Sequence, residues 1–152
     1  MTADQNTDLE KDVNRFWALL FEVVLEGEKR IAAMLQTHGL TAPQFYVLKT
    51  LMEQNGRCPI GQIAQIHGLT NATMTGLVKR LEIIGLVARE KSTEDKRSVV
   101  VMLTPEGYAR FAAVQQDFMQ HLRALIGLLS PEERSRVLIE LTRYVQLIMG
   151  TM

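Results

Sequence analysis

Residues 69–103 read LTNATMTGLVKRLEIIGLVAREKSTEDKRSVVVML, and the hydrophobic spacing changes within them from helical to extended. Met74, Leu77, Val78, Leu81 and Ile84 recur at helical intervals behind the capping residues Thr70 and Asn71, which predicts a helix with one buried stripe. Its other face carries Asn71, Ala72, Thr73, Thr75, Gly76, Lys79 and Arg80, small or hydroxylated near the N-terminus and basic towards the middle. Small polar groups let a helix lie close against another surface. Beyond Gly85, Leu86–Lys91 and Ser98–Leu103 read as strands, because Val99, Val100 and Val101 favour an extended backbone and Ser92–Arg97 supplies turn residues. Two strands alone are marginal in water, so this hairpin must lean on helices.

Working outward, Ile60–His67 reads as a short helix with Ile63, Ala64 and Ile66 inward, closed by Gly68. Two short helices joined at a glycine turn, the second exposing a small polar face, have the layout of a helix-turn-helix whose second helix enters a DNA major groove. With the hairpin added, the layout is a winged helix. Upstream, Phe45, Val47, Leu48, Leu51 and Met52 mark a helix that starts at Thr41 and Pro43 and stops at Asn55-Gly56, and Arg57-Cys58-Pro59 is too short for another helix. Before it, Leu9, Val13, Phe16, Trp17, Leu20, Phe21, Val24, Ile31, Met34 and Leu35 define a long helix ending at His38-Gly39. Downstream, Tyr108, Phe111, Val114, Phe118, Leu122, Leu125 and Ile126 predict a second long helix. A third, opened by Ser130-Pro131-Glu132-Glu133, carries Val137, Leu138, Leu141, Tyr144, Val145 and Ile148. The long helices hold more apolar surface than a small winged helix needs, which points to a partner, most simply a second copy in a two-fold homodimer.

Bulk properties bound the function. A chain of 152 residues, 47% hydrophobic and 22% charged, fits one folded domain. It shows no membrane span and no basic-flanked apolar leader, so the expectation is a soluble cytoplasmic protein. The single cysteine, Cys58, excludes an internal disulfide and a cysteine zinc cluster; it reads as a small buried residue. His38, His67 and His121 lack metal-ligand spacing and read as helix-end or surface histidines, so no metal or cofactor is expected. Net charge is zero, but residues 1–56 hold 5 Lys/Arg against 8 Asp/Glu, while residues 57–110 hold 8 against 5. A neutral chain with a basic middle can still present a local face to phosphate.

The stretch TMTGLVKRLEIIGLVARE followed by DKRSVVVMLTPEG resembles the multiple-antibiotic-resistance-regulator (MarR) family of bacterial transcription factors. The family's wing pattern is matched by Asp95, Arg97, Val101, Leu103 and Thr104, and the order of elements is similar from about Leu9 to Met149. The resemblance implies a mainly α fold with a small β-hairpin, in a single domain spanning residues 1–152. Residues 42–104 would form the winged helix-turn-helix lobe, and about 8–37 and 106–149 the dimerisation helices. It implies double-stranded DNA as a partner, with Asn71, Thr73, Thr75, Gly76, Lys79 and Arg80 at the major groove. Arg97 would enter the minor groove, oriented by Asp95, while Lys91 and Lys96 would meet phosphates. Many relatives carry a basic side chain where this chain has Gly76, so readout here is expected to rely less on long side chains. In the family a cavity between the dimer helices and the lobe often takes small aromatic or anionic effectors that release DNA. Trp17, Phe21, Phe45, Tyr46 and Phe111 are candidates to line it, and equally candidates for core.

Taken together, the sequence predicts a homodimeric repressor that binds a pseudo-palindromic operator and is released by a small molecule. Two other classes stay open. One keeps the winged helix as a protein-interaction module without specific DNA binding. The other is an enzyme, against which stands the lack of paired carboxylates, a nucleophile–base set or a phosphate-cradling glycine loop.

Overall fold

The computed structural model describes residues 3–93 and 98–151. In chain order these form α1 (Ala3–Thr37), α2 (Ala42–Glu53), β1 (Arg57–Pro59), α3 (Ile60–Ile66), α4 (Asn71–Ile83), β2 (Val87–Lys91), β3 (Val99–Leu103), α5 (Pro105–Gly127) and α6 (Pro131–Thr151). The chain divides after Phe111 into two compact units. Among the described residues no helix is long and apolar enough to cross a membrane.

In the first unit, local chemistry sets the ends of each element. Thr41 lies in extended backbone before α2, and its N–H donates to Gln44 Oε1 at 2.9 Å, satisfying one of the donors a helix start leaves over. Asn55 (φ 57°) and Gly56 (φ 83°) reverse the chain after α2. The Tyr108 hydroxyl lies over Gly56, and the left-handed backbone angle is what calls for glycine there. Thr50, buried in α2, lies 2.8 Å from Nε2 of His67, the residue that caps α3, so the one buried polar side chain of the described core is partnered.

The buried side chains come from all the short elements: Val47, Leu48 and Leu51 of α2, Ile63 and Ala64 of α3, Met74, Val78 and Leu81 of α4, then Leu86, Val87, Val101 and Leu103. Burying a Val, Leu, Ile or Met side chain stabilises by roughly 1.5–3 kcal/mol relative to exposure, so this shared core is what fixes the short helices, none of which would persist alone. Two residues expected inside it are exposed. Ile66 is 53% exposed, because the buried face of α3 centres on Ile63, Ala64 and the bonded His67, and Ile66 lies about a third of a turn away from that centre at 3.6 residues per turn. Ile84 is 44% exposed, because α4 ends at Ile83 and the chain turns at Gly85 before the stripe can be completed.

The expected hairpin is part of a three-stranded antiparallel sheet of order β1-β3-β2. Cys58 pairs with Val101 and Pro59 with Val100, while on the other side Arg89 pairs with Val101 and Glu90 with Val100. The sheet is joined to α5 by Thr104, whose hydroxyl donates to the Gly85 carbonyl at 2.6 Å and accepts from the Gly107 N–H at 3.0 Å. A Cβ at Gly107 would collide with the Leu86 carbonyl oxygen, so glycine is what permits the start of α5 to sit against the backbone just before β2. Arg110 then donates to the His38 carbonyl at 2.6 Å, tying α5 to the turn after α1.

In the second unit, α6 opens with a reciprocal cap. The Ser130 N–H donates to Glu133 Oε2 at 2.8 Å and the Glu133 N–H to Ser130 Oγ at 3.2 Å. Leu138, Ile139, Leu141, Val145, Leu147 and Met149 of α6 are exposed.

Candidate nucleic-acid interface

The proposed reading surface is built on α4, and its geometry starts at the cap. Thr70 Oγ1 accepts from the Thr73 N–H at 3.2 Å and lies 2.9 Å from Thr73 Oγ1, which fixes the first turn. Met74, Val78 and Leu81 are fully buried, which leaves the helix only one rotation about its axis. That rotation exposes Asn71, Thr73, Thr75, Gly76, Lys79 and Arg80 together. The positive end of the helix dipole at the start of α4 lies beside Asn71 and Thr73, an arrangement that favours anions.

Hydroxyl chemistry narrows what these side chains offer. Thr75 Oγ1 donates to the Asn71 carbonyl at 2.7 Å. Its single donor is therefore engaged, and what it presents outward is acceptor lone pairs, suited to the amino groups of adenine or cytosine. Lys79 and Arg80 have no ion-pair partner among the described residues. Gly76 faces open space, with nothing within 4 Å of the position a Cβ would take.

The wing root is held to this helix by an ion pair that the sequence did not announce. Arg89 of β2 reaches Glu82 near the end of α4, with Nε at 2.9 Å and Nη2 at 2.7 Å from Oε2. Both side chains are 35% exposed, so screening reduces the strength of the pair while its geometry still fixes β2 against α4. The only advance signal was an acid and a base seven residues apart across a glycine turn. Lys91, at the end of β2, is exposed. Asp95, Lys96 and Arg97 lie outside the described residues.

The aromatic candidates for an effector site fall into two groups. Trp17 and Phe21 meet on α1 with ring centroids 4.6 Å apart. Phe45 stacks on Phe111 at 5.5 Å with an interplanar angle of 8°, and Tyr46 lies 6.2 Å from Phe45. Cys58 is buried, and that burial pushes its thiol above the ordinary value, keeping it protonated and unreactive at neutral pH. Among the described residues no His, Cys, Asp or Glu cluster could hold a metal ion.

A model of the MarR family matches residues 40–99, the span from just before α2 to the first residue of β3. YfiV, an uncharacterised helix-turn-helix-type transcriptional regulator of Bacillus subtilis strain 168, is 32% identical over 129 residues, covering 85% of this chain and 80% of its own. The chain belongs to the MarR family. As a member it is a transcriptional regulator with a DNA-binding winged-helix fold, not an enzyme. YetL, named a transcriptional repressor in the same organism, is 33% identical over 97 residues, 63% of this chain and 58% of YetL. The crystal structure of YusO from Bacillus subtilis superposes with a TM-score of 0.77 at 25% identity, covering 96% of this chain and 99% of that one.

Proposed function

We propose that this MarR-family regulator acts as a homodimeric repressor, binding a pseudo-palindromic operator and released from it by a small molecule. The observation that carries DNA reading is the division of α4. Met74, Val78 and Leu81 are buried inside the chain, and the first three turns expose a polar and basic surface of Asn71, Thr73, Thr75, Lys79 and Arg80, with Ile83 the exposed apolar residue at the far end of the helix. Such a surface has little to offer an apolar partner and much to offer phosphates and base edges. Arg97, beyond the described part of the wing, would add a minor-groove contact and Asp95 would orient it; Lys91 and Lys96 would neutralise backbone phosphates. The name of YetL supports repression.

The exposed apolar side chains of α1 and of α6 support assembly with a second copy. They include Val13, Phe16 and Trp17 on the first, and Leu138, Leu141 and Val145 on the second. Two α4 helices related by a two-fold axis would read half-sites about one helical turn, or a multiple, apart. The half-exposed aromatic rings Trp17, Phe21 and Tyr46, with the stacked Phe45 and Phe111, suit a flat aromatic effector. Such a molecule releases DNA only if it binds the DNA-incompetent arrangement more tightly.

Selection of bound fragments from the host genome, followed by a salt titration on the enriched site, tests the proposal. Enrichment of a two-fold site whose affinity falls steeply with salt supports it. No enrichment and no salt dependence would leave a winged helix used for protein contacts.

A further inference from the structure

The cations of the lobe are not equivalent. Lys49 is engaged by Glu53 and Arg89 by Glu82, while Lys79 and Arg80 belong to the exposed face of α4. Among the described residues Arg57 and Lys91 remain. They lie on different strands, separated by β3, yet line one cleft of about 250 Å³ at the root of the wing, together with Glu90, Ser92 and Thr93. Pro59, Val100 and Glu90 stand side by side across the sheet, and all three line the cleft with Arg57 and Lys91. Neither cation has an ion-pair partner among the described residues. Glu90 offsets one of the two charges, so the described lining keeps an excess of one positive charge.

We propose that this cleft seats a backbone phosphate of the DNA duplex, neutralised by Arg57 and Lys91. The proposal rests on the DNA-binding role stated above. A minor groove about 6 Å wide is close to the spacing of two paired strands, so a hairpin whose tip enters it brings the bordering sugar–phosphate strand against its own root. A charged cleft at that root, lined also by Ser92 and Thr93, meets that strand without reading a base. Cys58, which also lines the cleft, is kept as a neutral thiol by its burial and adds no competing charge.

The test is a salt titration of operator binding by the full chain and its Arg57→Gln, Arg57→Lys and Glu90→Gln variants, each first checked for an unchanged thermal melt. Loss of one phosphate contact lowers the magnitude of the slope of log K against log[salt] by about 0.9 per protomer bound. Arg57→Gln should show that reduction with the same ranking of operator variants, Arg57→Lys should keep the wild-type slope, and Glu90→Gln should bind more tightly. An unchanged slope in Arg57→Gln, or a loss confined to certain base sequences, overturns the cleft while the wild-type slope keeps the DNA-binding role intact. A wild-type protein with no salt slope at all overturns both. In a parallel arm, inorganic phosphate is added without DNA; an Arg57-dependent rise in melting temperature at millimolar concentrations, together with an unchanged Arg57→Gln salt slope on the operator, would assign the cleft to a free anion and overturn the duplex assignment.

Discussion

Helices α4 and α6 are both amphipathic, and they finish differently. In α4, Met74, Val78 and Leu81 are buried within the chain, and what remains outside is mostly polar and basic, Ile83 at its last position excepted. In α6, Leu138, Leu141, Val145 and Met149 remain outside. A helix whose apolar side is satisfied at home can present a polar face to a polar partner such as DNA. One that leaves its leucines in water is incomplete until an apolar surface covers it.

Core truncation separates the two helices most strongly. Met74→Ala in α4 should destabilise by about 2–5 kcal/mol at any protein concentration, read from urea denaturation. Leu141→Ala in α6 should instead show a cost that grows with protein concentration, because the contact it removes belongs to an assembled state. Equal, concentration-independent costs would erase the distinction between the helices.

Glycines sharpen it next. Gly107→Ala forces a Cβ onto the Leu86 carbonyl and should cost about 1–3 kcal/mol, since backbone cannot move aside as a flexible side chain can. Gly76→Ala meets nothing and removes a helix-interior glycine, so it should stabilise by about 1 kcal/mol. It should also weaken operator binding if the duplex approaches α4 closely there. Tighter or unchanged binding in a stabilised Gly76→Ala protein would remove Gly76 from the reading surface.

Smaller effects follow at the wing root. A double-mutant cycle with Glu82→Gln and Arg89→Met should give a coupling of about 0.5–1 kcal/mol, the range for a partly exposed pair in good geometry. No coupling would mean that the wing is held to α4 by apolar contacts alone. Smallest is the effect of Cys58. Its folded-state value lies above the ordinary 9.0, so the folded protein holds its proton more tightly than the unfolded chain does. Its contribution is therefore complete below pH 9 and is lost as pH rises through the folded value. Cys58→Ala should flatten that alkaline fall in stability, measured by melting temperature against pH.

Much of this was legible in the sequence, and the reason is local. The α4 stripe, the caps at Thr41, Thr70 and Ser130, the turns at Gly39, Gly56, Gly68 and Gly85 and the valine strand each depend on residues within one turn or one strand. The exposed polar face of α4, proposed above as the reading face, was legible for the same reason, as the complement of a stripe that a few positions define. Pairing of β1 with β3 was not, because three residues carry no alternation and their partner lies more than forty residues away. The Phe45–Phe111 stack and the Arg57–Lys91 cleft are hidden in the same way, being products of topology. Ile66 and Ile84 misled because an isoleucine near a short helix's end looks periodic whether or not the helix continues far enough to bury it.

The contrast between α4 and α6 is tested most directly by sedimentation of the full chain with its selected operator duplex, comparing wild type with Leu141→Asp. Two wild-type protomers per duplex are expected. Leu141→Asp should give a smaller species in free solution and operator affinity lowered by at least tenfold, with the melting behaviour of the α4 core retained. One wild-type protomer per duplex, or a Leu141→Asp protein that assembles and binds as the wild type does, would contradict that contrast.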